Sequence, residues 1–215
     1  MTASARSAKK PRAPRSGMTS RVVRPLPAPG EAAVVGFADW ATYQKLDERM
    51  PGSGFRIRYF HGLLELMSLS FEHESLSAHI GRLVEIYCLE KGLDYQVWGS
   101  TTQRQEGRAG GEPDESYTFG PGKKDHPELI IEVALTTGGI DKLEFWTAFG
   151  AKEVWIWQNN RLHGFGRTDG GQFEPLIHST LLPGLSLEWI QEFALLQPTS
   201  VAVKSFKERL TASAK

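Results

Sequence analysis

The chain has 215 residues, 25 basic and 25 acidic side chains, and a single cysteine, Cys88. This length favours one domain with tails, and one cysteine excludes an internal disulfide and favours the cytoplasm. No apolar run approaches the roughly 20 residues that cross a bilayer, and the N-terminus lacks the apolar stretch of a signal peptide. We therefore expect a cytoplasmic protein without a membrane partner.

The charge is unevenly distributed along the chain. Residues 1–30 carry seven basic side chains and no acid, whereas the remainder carries 18 basic and 25 acidic side chains. The composition predicts a disordered basic N-terminal arm at 1–34, one domain at 35–197 and a loosely held C-terminal tail at 198–215. The arm either binds a polyanion such as DNA or is a plain leader, with Met18 as a later start.

Hydrophobic periodicity predicts the elements in chain order. We expect helices at 40–46, 72–91, 140–149 and 187–195, and strands at 55–60, 63–67, 94–98, 101–105, 114–119, 129–135, 153–157, 161–166 and 172–176. This order is typical of an α+β or mixed α/β domain. Trp155 and Trp157 share one face of their strand, which favours core packing or a dimer face over base stacking.

Two carboxylates fall in two of these strands. Asp114 follows Pro113 at the start of one, and Glu132 lies in the almost wholly apolar segment 129–135. A strand of that composition is buried on both faces, and a buried charge costs several kcal/mol unless it is paired or binds a cation. The alternatives are that Asp114 caps a turn and that Glu132 forms an ion pair with Arg82 or Arg104.

A lysine, Lys142, follows at the start of the next helical pattern. Two acids and a lysine can hold Mg²⁺, which prefers oxygen ligands and keeps several waters, and can activate water for attack on a phosphate. Asp114, Glu132 and Lys142 fit catalytic roles, and the main-chain carbonyl of Val133 could add a metal ligand. Alternatively, Lys142 is a solvated helix residue. Because two close carboxylates repel, we expect their neutral variants to be slightly more stable.

Four further polar residues are candidates for the same site. Glu74 could complete the metal shell from the first turn of its helix, although the helix dipole alone also favours an acid there. His73 either makes a hydrogen bond at the helix start or contacts phosphate or water. Gln103 and Arg104 either contact the substrate backbone or are ordinary polar strand residues.

At this point the chain resembles a known group of nucleases. Pro113-Asp114, followed by Glu132 within Ile-Ile-Glu-Val-Ala, resembles the signature of the PD-(D/E)XK nuclease superfamily. From about Phe55 to Leu187 an ordered series of motifs is similar to one branch, the Uma-two family of restriction-endonuclease-like proteins. The motifs are Gly62-x-Leu64-Glu65-x-Met67-Ser68, Glu72-His73-Glu74, Gly99-Ser100-Thr101-Thr102, Glu112 to Tyr117, Gly138 to Glu144 and Glu153 to Trp157.

The resemblance implies an α/β (α+β) fold with a restriction-endonuclease-like core, in which helices flank a mixed central sheet of four strands. It implies DNA cleavage that depends on Mg²⁺, for which Mn²⁺ can substitute, and a homodimer by analogy. The superfamily places its lysine two residues after the acid, where this chain has Ala134, and the resemblance implies that the lysine has migrated to the following helix as Lys142. The alternative is a catalytically inactive nuclease-like module that binds nucleic acid or protein.

Overall fold

The structure is a computed structural model that describes residues 26–135 and 139–212. Most of the predicted basic arm lies outside these residues, as do residues 136–138. Within the described ranges, no helix is both long and apolar enough to cross a membrane.

Helices and strands follow one another along the chain largely in the order that the periodicity predicts. The helices are α1 Trp40–Asp47, α2 Phe71–Lys91, α3 Lys142–Thr147, α4 Leu187–Ala194 and α5 Thr199–Ala212. The strands are β1 Ala32–Phe37, β2 Phe55–Phe60, β3 Leu63–Ser68, β4 Tyr95–Val97, β5 Gln103–Gln105, β6 Ala109–Gly111, β7 Glu115–Phe119, β8 Leu129–Ala134, β9 Glu153–Gln158, β10 Arg161–Arg167 and β11 Phe173–Leu176.

The strands form two sheets. The first has the order β1-β3-β2-β6-β5, and the second has the order β11-β10-β9-β8-β7-β4. In the second sheet β8 and β9 are parallel, because α3 crosses over between them, and the other neighbours are antiparallel. The predicted mixed central sheet flanked by helices is confirmed, with six strands rather than four. The sequence did not predict that the other five strands pair into a separate sheet, the one with the order β1-β3-β2-β6-β5.

Strand β8 is buried on both faces and separates two parts of the core. Leu129, Ile131 and Val133 point towards α2 and α4, where they join one cluster of buried apolar side chains. Ile130 points the other way, into a cluster that includes Phe145 and Trp146. Since side chains alternate along a strand, Glu132 shares the face of Ile130 and lies between the two sheets.

The tryptophans of β9 belong to the core, as predicted. Trp155 and Trp157 are 0% and 2% exposed and pack in the cluster beneath α2 and α4. They are therefore not available for stacking on bases.

The two ends of the domain differ from the prediction. Strand β1 begins at Ala32 and pairs with β3, so the last residues assigned to the arm belong to a sheet. The prediction of a loose tail is wrong for residues 199–212. Ala202, Phe206 and Leu210 are buried at helical spacing along α5, and α5 packs against α2 and α4. This spacing is the signal of an amphipathic helix.

One buried acid outside the candidate site holds the fold together. The carboxylate of Glu153 is fully buried and accepts hydrogen bonds from Trp155 Nε1 (3.0 Å), Ser179 Oγ (2.9 Å) and the backbone N–H of Leu181 (2.9 Å). We expect Glu153→Ala to lower the free energy of unfolding by about 3 kcal/mol or more, because several buried donors lose their acceptor. Urea unfolding measures this. Glu174→Ala, an exposed acid on β11, is the control and should change stability by no more than about 0.5 kcal/mol.

Candidate active site

Asp114 and Glu132 lie next to each other: Glu132 is in β8, and Asp114 immediately precedes the neighbouring strand β7. Strand β7 pairs with β8 so that Glu115 faces Ile131 and Ser116 faces Ile130. Continuing this register by one residue places Asp114 across from Glu132, on the same side of the sheet. Asp114 also accepts a 2.6 Å hydrogen bond from the backbone N–H of Val133. The two acids are therefore neighbours as predicted, although Asp114 precedes its strand by one residue and does not begin it.

Three elements supply the partners of Asp114. Arg56 reaches its carboxylate from β2, and the Nε2 atom of His73 lies 3.2 Å from Oδ2 at the start of α2. Burial alone would raise the pKa of Asp114, but His73, Arg56 and the Val133 N–H outweigh it and lower that pKa. Asp114 is therefore an anion at neutral pH, and it is surrounded by buried cations and hydrogen-bond donors.

The ring of His73 lies within the acid cluster. Its backbone N–H is capped by Ser70 Oγ at 3.2 Å, while Nδ1 lies 3.0 Å from Glu74 Oε1. Burial lowers the pKa of His73, but the carboxylates of Asp114 and Glu74 more than offset this and raise it to about 8. The hydrogen bond at the helix start is confirmed for the backbone, and the side chain is directed at Asp114.

His73 gives the fold a pH dependence that can be measured. Its folded-state pKa of about 8 exceeds its ordinary value of 6.5, so its contribution is complete below pH 6.5 and is lost as the pH rises through about 8. We expect the unfolding free energy to fall by about 1–2 kcal/mol across that window. Urea unfolding of the wild type and His73→Gln checks this. Equal slopes in the two proteins would show that His73 is not the group responsible.

Glu132 belongs to a closed ring of four alternating charges. Arg58 Nη2 lies 2.8 Å from Glu132 Oε1, and Arg58 Nη1 lies 3.1 Å from Glu65 Oε1. Lys142 Nζ lies 3.3 Å from the same Glu65 oxygen and 3.6 Å from Glu132 Oε2. Each acid therefore lies between two cations, and each cation lies between two acids.

Lys142 reaches this ring from the first residue of α3. Asp141 caps the helix by accepting the N–H of Glu144 at 2.8 Å, which fixes the direction in which the helix begins. The Lys142 side chain is 12% exposed and directed inwards. The prediction that a lysine displaced from the strand can return to the acids is confirmed in its geometry.

Burial dominates the electrostatics of Glu132. It raises the pKa of this carboxyl to about 7; Arg58 opposes the increase and Asp114 adds to it. The Nε1–H of Trp146 donates to Glu132 Oε1 at 2.7 Å. This contact fixes Oε1 against α3, while Oε2 is the oxygen that lies 3.6 Å from Lys142 Nζ.

Two predicted substrate contacts lie elsewhere. Gln103 and Arg104 are on β5, at the edge of the first sheet. Gln103 Oε1 lies 3.0 Å from His126 Nδ1, and Arg104 pairs with Asp47. None of the contacts of the described residues links either one to the two acids, so their substrate roles remain predictions.

Sequence reasoning missed the basic and acidic residues of the β2–β3 hairpin. Arg56 and Arg58 alternate with apolar residues on β2, and Glu65 stands among apolar residues on β3. The interruption of an apolar strand by a charge, which singled out Glu132, also marks Glu65. The suggested ion-pair partners of Glu132, Arg82 and Arg104, are wrong, because Arg58 forms that pair.

The donor set of this cluster suits a hard cation by its chemistry. It contains five carboxylates and three permanently basic side chains: Glu65, Glu74, Glu112, Asp114 and Glu132 against Arg56, Arg58 and Lys142. The oxygen donors match the preference of Mg²⁺, whereas His73, with its pKa raised to about 8, adds a fourth cation that offsets much of the negative charge. In the described parts of the chain, however, no three His, Cys, Asp or Glu side chains are grouped to hold a metal. Arg56 and Arg58 instead contact the acids.

Clefts open on both sides of the cluster. One of about 440 Å³ is bordered by Arg56, Glu112 and Phe55, and another of about 350 Å³ by Ala134, Lys142 and Gln158. The acids themselves are almost fully buried, whereas the Glu112 and Glu74 side chains are 32% and 44% exposed at the rim. A ligand would meet Arg56 or Lys142 before it met Asp114 or Glu132.

The mixed sheet and its flanking helices are consistent with a restriction-endonuclease-like α/β fold. Residues 40–198 match the Uma2 family, whose description is "Putative restriction endonuclease", and the chain belongs to that family. It matches none of the curated proteins.

Proposed function

We propose that the protein is a metal-dependent endonuclease that hydrolyses DNA phosphodiester bonds. The observation that carries this proposal is the convergence of Asp114, Glu132 and Lys142, which come from the residue before β7, from β8 and from α3. Buried acids gathered beside a lysine at one sheet are the residue types that phosphodiester hydrolysis needs. Membership in the Uma2 family supports the same reaction class.

The residues of the candidate site would have separate roles in this reaction. Asp114 and Glu132 would hold Mg²⁺ or Mn²⁺, with the Val133 carbonyl and Glu74 as further candidate ligands. When bound, such a metal neutralises phosphate charge and lowers the pKa of a bound water. Lys142 supplies a fixed positive charge beside Glu132, which favours a transition state that carries more negative charge than the substrate. Trp146 and Arg58 hold the Glu132 carboxylate in place.

One observation favours the rival function, an inactive module that binds nucleic acid or protein. The acids are buried and already matched by cations: Arg56 contacts Asp114, and Arg58 contacts both Glu65 and Glu132. A cluster satisfied in this way could serve stability alone. Metal binding at Asp114 would have to compete with Arg56, whose side chain is 13% exposed and also contacts Glu74.

A cleavage assay distinguishes the two functions. Wild-type protein is incubated with single-stranded DNA, double-stranded DNA and RNA, with Mg²⁺, with Mn²⁺ and with a chelator, beside Asp114→Ala. We expect metal-dependent cutting of DNA by the wild type alone. A calorimetric Mg²⁺ titration of both proteins shows whether the metal binds at the acids. Absence of cutting together with absence of metal binding would establish the inactive module.

We also infer a homodimer by analogy with nucleases of this fold, since two active sites let one binding event cut both strands of a duplex. Light scattering of the purified protein, free and with a short duplex, measures the assembly. A monomer in both states would limit the enzyme to one cut per binding event.

A further inference from the structure

Glu65 is the one member of the charge ring to which the proposed chemistry gives no role. It lies on β3 and is 2% exposed. Its Oε1 contacts Arg58 and Lys142, and its Oε2 accepts a 2.6 Å hydrogen bond from the backbone N–H of Ile140. One carboxylate thus contacts a neighbouring strand, the backbone just before α3 and the side chain at its first residue.

We propose that Glu65 is the positioning residue for Lys142. It fixes where α3 begins and holds the Lys142 ammonium beside Glu132. The effect of Glu65 on cleavage rests on the proposed nuclease function, because it requires that Lys142 acts in cleavage.

Lys142 needs such a partner because of where it lies. A lysine has a flexible four-carbon stem that loses rotamer freedom when its ammonium is fixed, and here it projects from a helix of only six residues. Its Nζ is closer to Glu65 (3.3 Å) than to Glu132 (3.6 Å). Glu65 can therefore hold the ammonium even when the carboxylate of Glu132 has another partner.

The backbone before α3 is built to approach Glu65. Gly139 has φ +93°, and a Cβ on it would lie 2.1 Å from Glu65 Oε2. Only glycine tolerates this conformation and this approach together, and the approach brings the N–H of Ile140 onto the carboxylate. The two oxygens of Glu65 thus have separate roles, since Oε2 fixes the backbone and Oε1 receives the lysine.

Steady-state cleavage by Glu65→Gln, Lys142→Met and the double variant tests the proposal. Gln keeps an acceptor for Ile140 but removes the charge that holds Lys142. We expect kcat of Glu65→Gln to fall about 10-fold or more with KM within about twofold, the signature of an interaction made in the transition state. The double variant should be no slower than Lys142→Met, because Glu65 acts through Lys142.

Glu128→Gln is the matched control, since Glu128 pairs with two other lysines, Lys124 and Lys152. It should cleave at the wild-type rate and combine with Lys142→Met without coupling. Three outcomes would overturn the positioning role: an unchanged kcat in Glu65→Gln, a loss confined to KM, or rate losses in the double variant that multiply.

Urea unfolding of the same proteins separates this inference from the nuclease activity. Lys142→Met should lower the denaturant midpoint less in the Glu65→Gln background than in the wild type. In the Glu128→Gln background it should lower the midpoint as much as it does in the wild type. A wild-type protein that cuts nothing would refute the proposed function, and this cycle would still decide whether Glu65 holds Lys142. Equal effects of Lys142→Met in all three backgrounds would overturn the inference.

Discussion

Asp114→Asn and Glu132→Gln should each abolish metal-dependent cleavage and also destabilise the protein. Both substitutions keep the shape of the side chain but remove a negative charge that would hold the metal. Loss of a group that stabilises the transition state typically costs 10²–10³-fold in rate, and loss of the metal itself costs more. Gel-based cleavage with Mg²⁺ measures the rate, and undiminished cutting by both variants would rule out this site.

The expected change in stability reverses the sequence-based expectation. Repulsion between two unpaired carboxylates would make the neutral variants more stable. In the structure, however, Asp114 is paired with Arg56, and Glu132 with Arg58. Removing one partner of a buried pair costs about 3–5 kcal/mol when the other charge is left alone. Arg58 keeps Glu65, and Arg56 keeps Glu74 and Glu112, so we expect a smaller but measurable loss of unfolding free energy.

A compensating variant separates stability from chemistry. Arg56 is the cation that Asp114→Asn leaves without its buried partner, and its other contacts, Glu74 and Glu112, are partly exposed. In Asp114→Asn/Arg56→Met, both charges of the pair are gone, and much of the lost stability should return. Cleavage should stay absent, because the carboxylate is still missing. Recovery of cleavage along with stability would show that Asp114 acts only through the fold.

Local sequence patterns were enough to identify the acids as candidates for the site. Glu132 was identifiable because it interrupts a run of apolar residues, which predicts a strand buried on both faces, and β8 is such a strand. Asp114 and Lys142 could be added because the order of the motifs resembles a known nuclease branch. The same reasoning applied to β3 would have marked Glu65, which also interrupts an apolar strand.

The partners of those acids could not be predicted from local patterns. Arg58 and Glu132 are 74 positions apart in sequence and belong to different sheets. Their contact depends on how the five-stranded sheet packs on the six-stranded one and on the hairpin register that sets Arg58 opposite Glu65. A shift of one residue in that register would turn Arg58 to the other face, and nothing in a short window of sequence fixes it.

Lys142→Ala should lower the rate of cleavage by about 10²-fold or more. The structure places its ammonium 3.6 Å from Glu132 Oε2 in a largely buried position, where a positive charge interacts more strongly than it does in water. That charge favours the more negative transition state over the bound substrate, so its removal acts on kcat. The variant should still fold, at somewhat lower stability, because Glu65 and Glu132 both keep Arg58 as a partner.

Metal binding separates this role from that of the acids. Removing a cation beside Glu132 leaves more negative charge at the site, so Lys142→Ala should bind Mg²⁺ as well as the wild type or more tightly, by calorimetric titration. Lys152→Ala is the control: its lysine also pairs with an acid, Glu128, but is 59% exposed, and it should cut at the wild-type rate. If Lys142→Ala cuts normally while Lys152→Ala or Arg104→Ala does not, the displaced lysine is not the catalytic one, and the catalytic cation lies at that other position.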